Sequence, residues 1–304
     1  VPIGAEVARL ARDRLADLPI AIDAMNRVRR IAPAHVPSLL TLAELCIAQR
    51  TWAEAVDALE AVLLHAKDDG FKLTAAFALA SVYDRVLGKP AEAERALRGV
   101  LDVDPANVRA LAALVELARP KLAPDDLLAL LKRLASAEKE PGRRRAVLLE
   151  IAELHMAADR PREGEDALIE AAALAPRAEL LARIAALHKG DPSAFAASLS
   201  KLVARGRELG RVDAGWLATL GKIEVETPGR AQDGIAHLKN ALEQEPSLHE
   251  ARFVLAKALV GAGLNEEALK HLLALASTET FPPILLLADS GVALSLLEQA
   301  FTAE

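Results

Sequence analysis

Apolar and small residues recur along this 304-residue chain at intervals of three and four, with polar residues between them. That spacing gathers them on one face of a helix. The same set returns four times: Ala21, Met25, Val28 and Pro33; Ala93, Leu97, Val100 and Pro105; Gly164, Leu168, Ala171 and Pro176; Gly234, Leu238, Ala241 and Pro246. In each set the proline closes the helix, because it has no amide hydrogen to donate and its ring blocks continuation. The prolines stand 72, 71 and 70 residues apart, so each interval holds two units of about 35 residues.

Intervening segments carry the front half of the same pattern. Leu39, Leu42, Ala43 and Cys46 are followed by Ala55, Leu59 and Val62; Leu255, Ala256 and Leu259 lead through a turn at Gly263 to Ala268, Leu272 and Leu275. Each unit therefore predicts two helices. A small residue at Ala55 or Ala268 lets the second cross the first with axes about 8–10 Å apart. Thr51 and Glu54 have the spacing of a capping box, and Gly88 and Gly263 fall where the turn between helices needs positive φ. No run alternates apolar and polar residues with period two, so no strand is predicted. One helix pair cannot bury both its faces, so stability has to come from stacking.

These residues resemble the tetratricopeptide repeat, W-x2-L-G-x2-Y followed by A-x3-F-x2-A and a proline. Leu39 or Arg252 stands for the Trp, and Ala43, Ala152 or Ala256 for the Gly. The resemblance runs from about Pro2 to Phe281 and is most worn near 108–144 and 179–213. In the second of these, Gly190-Asp191-Pro192 reads as a helix stop, an N-cap and a first-turn proline, which predicts an extra or shifted helix. The resemblance implies an all-α fold, a right-handed superhelical solenoid of antiparallel helix pairs. It implies one domain of about eight pairs, with repeats near 2–35, 36–73, 74–107, 108–144, 145–178, 179–213, 214–248 and 249–282, and C-terminal capping helices in 283–304.

It also implies a non-enzymatic protein-binding scaffold whose first helices line a concave groove. Projection of that rule places Leu40, Glu44 and Ile47 in the groove, then Arg109, Ala112, Glu116 and Arg119, then Leu149, Glu153 and Met156, then Glu250, Phe253, Lys257 and Val260. Glu44, Glu116 and Glu153 share one relative position, which Lys257 takes in the last unit. Chaperone-binding members hold a peptide's terminal carboxylate with Lys and Asn on one first helix. The matching places here are Leu40 and Glu44, Ala112 and Glu116, Leu149 and Glu153, and Phe253 and Lys257, so that clamp is missing. The expected partner is a protein or peptide suited to an apolar groove with an acidic line, such as a basic amphipathic helix or another subunit. The alternative reading is a regulatory or sensor segment of a larger enzyme or signalling protein, with which the opening Val1-Pro2-Ile3, lacking an initiator Met, is compatible.

Composition agrees with the array. Hydrophobic residues make up 52% of the chain and aromatics 3%, so the interior must be built from Ala, Leu, Val and Ile. A net charge of −6 offers no basic stripe to release counterions from a nucleic acid. The longest apolar runs, such as Ile284 to Ala288, fall short of the roughly 18–20 residues a membrane-spanning helix needs. Leu285, Leu286, Leu287, Leu294, Leu296 and Leu297 make the C-terminal stretch apolar and suited either to capping or to self-association.

Little in the sequence points to chemistry. Cys46 is the single cysteine and sits at an apolar repeat position, which predicts a buried hydrophobe. His237 and His271, and likewise His155 and His188, are one repeat apart, a spacing that repetition itself supplies; no HExxH occurs. His155 stands near the aromatic position of its repeat and is predicted to be packed. No G-x-S-x-G is present, and Gly261-x-Gly263 lacks the third glycine of a dinucleotide loop. Asp68-Asp69 and Asp125-Asp126 are adjacent and so point apart, as helix-start charges do. Arg143-Arg144-Arg145 reads as a solvated helix start. No catalytic residue, metal or cofactor is expected.

Overall fold

The computed structural model describes residues 6–9, 11 and 17–276. The predicted cap in 283–304 and the leucines from Leu285 to Leu297 lie outside the described residues, as does most of the first helix expected in 2–35. Among the described residues every regular element is helical and there is no strand. The chain divides into two compact units, Val1–Lys139 and Glu140–Glu304.

In the first unit the helices are α1 (Leu18–Ile31), α2 (Val36–Gln49), α3 (Trp52–His65), α4 (Asp69–Arg85), α5 (Pro90–Val103), α6 (Val108–Ala118) and α7 (Pro124–Ala137). Each packs on the next in sequence, the pattern of stacked helix pairs. Polar side chains start the helices. Asp17 accepts from Ile20 N at 3.1 Å, Asp68 from Phe71 N at 3.2 Å and Asn107 from Ala110 N at 3.0 Å, each answering an amide that the first turn leaves without a partner.

The expected capping box at Thr51 does not form: Thr51 is the N-cap of α3 but makes no side-chain cap bond. Its hydroxyl donates to the Cys46 carbonyl at 3.4 Å. The turn explains this. Arg50 has φ +65°, which folds the chain back so that the Thr51 amide also reaches Cys46 O, at 2.9 Å. Glu54 lies near the Cys46 thiol, 3.7 Å away, instead of reaching back to cap the helix.

The second unit contains α8 (Pro141–Ala157), α9 (Pro161–Leu174), α10 (Ala178–Leu187), α11 (Pro192–Glu208), α12 (Ala214–Glu226), α13 (Ala231–Gln244), α14 (His249–Gly261) and α15 (Asn265–Ala276). Pairing is close for α8 with α9, α12 with α13 and α14 with α15. The short α10 breaks the rhythm. It barely touches α11, which packs directly on α9. The stop and restart expected at Gly190-Asp191-Pro192 are present: Gly190 has φ +92°, Asp191 accepts from Ala194 N at 2.9 Å, and Pro192 opens α11.

Small residues sit where the helices of a pair cross. Ala55 and Ala268 are fully buried. The α12–α13 crossing is tighter: a Cβ on Gly221 would stand 2.8 Å from Gly234 O, and one on Gly234 would stand 2.7 Å from Gly221 O. Around the crossings the buried aliphatics Leu39, Leu59, Leu168, Leu199 and Leu255 fill the seams, each stabilising by about 1.5–3 kcal/mol relative to exposure.

Candidate functional site

In unit 1 the residues projected onto the groove are exposed or half-buried. Leu40 and Ile47 are half-buried and pack against the core of α1 to α4. Glu44 is exposed between them. On α6, Arg109, Glu116 and Arg119 are exposed and Ala112 is half-buried.

Arg109 and Glu116 come together at a pocket of about 350 Å³ between α4 and α6. Leu97, Ala113 and Leu117 supply its apolar part, while Ser81, Asp84 and Arg85 of α4 supply polar atoms. The Arg109 guanidinium lies over the Phe77 ring, 4.4 Å from its centroid, a stacking that fixes its plane. Glu116 is engaged by Arg119 at 3.1 Å. Phe77, Ser81, Asp84 and Arg85 are absent from the sequence projection, although Leu79-Ala80-x2-Tyr83 carries the L-x-x2-Y signal that would have aligned α4.

In unit 2 the projected residues are more occupied. Glu153 lies 3.7 Å from Arg183 of α10. Met156 turns towards its own pair: its methyl lies 2.7 Å from where a Cβ on Gly164 would stand. Leu149, Phe253 and Val260 are half-buried. The Lys257 ammonium is 5.8 Å from the Phe253 ring centroid. Glu250 pairs at 2.6 Å with Lys222 of α12, a groove-position lysine the projection did not include. Glu116 and Glu153 thus have basic partners, and of the three aligned acids Glu44 alone has none among the described residues.

Polar clusters elsewhere hold helices together. Glu224 of α12 is fully buried and takes the aromatic position of its repeat. His237 Nδ1 lies 2.6 Å from one of its oxygens and Arg230 Nη2 2.6 Å from the other. On α9, Glu165, Asp166 and Glu170 face α11. Asp166 pairs with Lys201 at 3.2 Å and Glu170 with Arg205 at 2.8 Å, both one repeat length apart. Hydrogen bonds that Arg205 donates to Glu208 and Glu170 raise its pKa. Leu174 O accepts from Arg211 at 2.7 Å.

Ser198, His188 and Glu165 bring a hydroxyl, an imidazole and a carboxylate together, yet the geometry is not that of a nucleophile relay. Ser198 Oγ is 3.0 Å from His188 Nε2, and the same nitrogen is 2.8 Å from Glu165 Oε1. Ser198 also donates to that oxygen. A relay needs the carboxylate on the other ring nitrogen, so that Nε2 is free to take the hydroxyl proton. Here one carboxylate oxygen draws both donors, which ties the end of α10 to α9 and α11.

Cys46 is fully buried, and burial pushes its thiol pKa up, the opposite of an activated nucleophile. His155 is packed as expected. His237 is held by Glu224. Burial lowers the His271 pKa, with Arg252 and Lys239 adding to the effect. Tyr83 donates to Glu60 at 2.9 Å, and burial together with that bond moves its pKa up to about 12. Among the described residues no three His, Cys, Asp or Glu side chains are grouped to hold a metal, and no helix is long and apolar enough to cross a membrane.

Residues 229–280 match the family described as Tetratricopeptide repeat. No curated protein matches the chain. Among solved structures, a tetratricopeptide repeat protein from Parabacteroides merdae is 18% identical, with a TM-score of 0.41 over 85% of this chain and 98% of its own. YrrB, described as having an unusual peptide-binding site, is 14% identical, with a TM-score of 0.40 over 58% of this chain and 87% of its own. The repeat domain of P58(IPK) is 14% identical, with a TM-score of 0.30 over 98% of this chain and 97% of its own.

Proposed function

We propose that this chain, whose residues 229–280 match the tetratricopeptide repeat family, is a non-enzymatic scaffold that binds a polypeptide partner on the groove face of its first helices. The observation that carries the reading is the pocket between α4 and α6, where Arg109 is stacked on Phe77 beside about 350 Å³ of open space. An aromatic ring and a pre-oriented guanidinium are the residue types that anchor protein contacts. The remaining projected groove residues, Leu40, Glu44, Ile47, Glu116 and Arg119 in unit 1 and Leu149, Glu153, Met156, Phe253 and Lys257 in unit 2, belong to the same proposal. The partner is a protein or peptide, and no nucleic acid is invoked.

Photo-crosslinking tests this. A benzophenone amino acid is placed singly at Leu40, Ser81 or Phe253 on first helices, and at Ile20 or Leu64 on second helices, and the full chain is irradiated in its native cells. Discrete crosslinked polypeptides are expected from the first-helix positions. Crosslinks that arise only from Ile20 and Leu64 overturn the groove assignment.

A further inference from the structure

The pocket between α4 and α6 holds two arginines that find no partner among the described residues. Arg109 has its guanidinium fixed over Phe77 and makes no hydrogen bond or ion pair among the described residues. Arg85 lines the same pocket and likewise has no partner among them. Of the two carboxylates in the lining, Glu116 is already taken by Arg119 at 3.1 Å, and Asp84 has no partner among the described residues. Two unanswered guanidiniums therefore face one unanswered carboxylate.

A guanidinium stacked through its face keeps its N–H edge for a planar acceptor, and stacking lowers the entropy lost when that acceptor arrives. We propose that this pocket takes an acidic side chain from within a partner segment, with Arg109 as the main contact and Arg85 as the second cation, while an adjoining apolar residue of the partner rests on Leu117 and Ala113. The proposal rests on the groove reading above and gives it a partner chemistry. It also reverses the charge expected from the aligned acids, because Glu116 is neutralised internally while the arginines are not. Asp84, in the same lining, favours a partner that carries a basic residue next to its acid over one with a second carboxylate there.

The test is selection on the full chain from a phage-displayed library of peptides fused at both useful ends, so that no insert has a free carboxyl terminus. Winning peptides are resynthesised with amidated ends and titrated by fluorescence anisotropy. The winners are expected to share an Asp or Glu beside an apolar residue. Replacing that acid by its amide, or changing Arg109→Gln, should raise Kd about ten-fold or more, and Ser81→Glu, which supplies a rival carboxylate, should weaken binding as well. A consensus without an acid, affinity unchanged in Arg109→Gln, a need for a free C-terminus, or no winning peptide at all each overturns the proposal. Phe77→Ala separates the two readings, with circular dichroism confirming that it folds. Peptides lost in Phe77→Ala but kept in Arg109→Gln leave the groove reading standing and remove the acidic partner, whereas peptides indifferent to both variants remove the groove reading itself.

Discussion

The crossing of α2 on α3 in unit 1 and that of α12 on α13 in unit 2 occupy the same places in the repeat and are built from different chemistry. In the first, Ala43 and Ala55 are both buried, and the next position of the pattern is the buried thiol of Cys46. In the second, Gly221 and Gly234 bring the backbones together, and the equivalent position is the buried carboxylate of Glu224 between His237 and Arg230. The repeat fixes where a side chain goes, but not what it must be. An apolar seam needs only volume, whereas a buried acid needs cations delivered to both its oxygens.

Exchanging these residues breaks the comparison most severely. Cys46→Glu would bury a carboxylate with Glu54 beside it and only a through-space interaction with Arg29 to offset it, and is expected to destabilise unit 1 by about 4 kcal/mol. Trp52 and Trp216, the two tryptophans, lie one in each unit, so single Trp→Phe backgrounds let urea unfolding by fluorescence follow each unit alone. An unshifted Trp52 transition would show that the site tolerates charge. Next in size, Gly221→Ala or Gly234→Ala should cost about 3 kcal/mol at the Trp216 transition, because the new Cβ meets backbone atoms that cannot move aside. Ala43→Gly in the looser crossing should cost only about 1 kcal/mol. Equal effects would erase the difference between the two crossings.

Glu224→Cys, which imports the unit 1 residue, should cost about 2 kcal/mol, less than a fully buried pair because Arg230 is 44% exposed and can turn to water. A melting point unchanged by Glu224→Cys would mean that the ion cluster contributes nothing net. A gain is expected at the turn before α3: Arg50 holds φ +65°, where Gly88 and Gly263 stand at the equivalent turns, so Arg50→Gly should stabilise unit 1 by about 0.5–1 kcal/mol. Loss of stability there would indicate that the arginine side chain makes up for its backbone strain.

The smallest effect is spectroscopic. Tyr83 is the single tyrosine, and its phenol, raised to about 12, should ionise at 295 nm well above the ordinary value of about 10. The neutral phenol is the form the fold favours. Its contribution to stability is therefore complete below about pH 10 and is lost as pH rises towards 12. Glu60→Gln should bring the midpoint down, and a normal midpoint in the unaltered chain would discount the Glu60 bond.

How much could be read in the sequence depended on the kind of feature. The four spaced prolines and the small residues at Ala55 and Ala268 announced the helix pairs, because close packing tolerates few alternatives at those positions. Thr51 and Glu54 misled, since the spacing of a capping box does not reveal that a preceding left-handed residue will offer a carbonyl to the hydroxyl first. The groove was only partly legible. Arg109 and Glu116 could be projected from their repeat positions, but the pairing of Glu116 with Arg119, and the pocket Arg109 shares with Phe77, depend on side-chain directions that spacing does not encode. Glu224 was missed for a related reason: a charge at an apolar position becomes intelligible only with His237 and Arg230 in place.

The short helix α10 remains. Because α11 packs on α9 directly and is joined to it through Asp166–Lys201 and Glu170–Arg205, the stack passes α10 by. Held mainly by Leu180 and Ile184 and by the His188 contact at its end, α10 is the natural place for local opening, and amide exchange should be fastest along it. By the same token the tip at Lys189 and Gly190, exposed beyond its last turn, is where an inserted domain or an affinity tag could be accepted with the array on either side still intact.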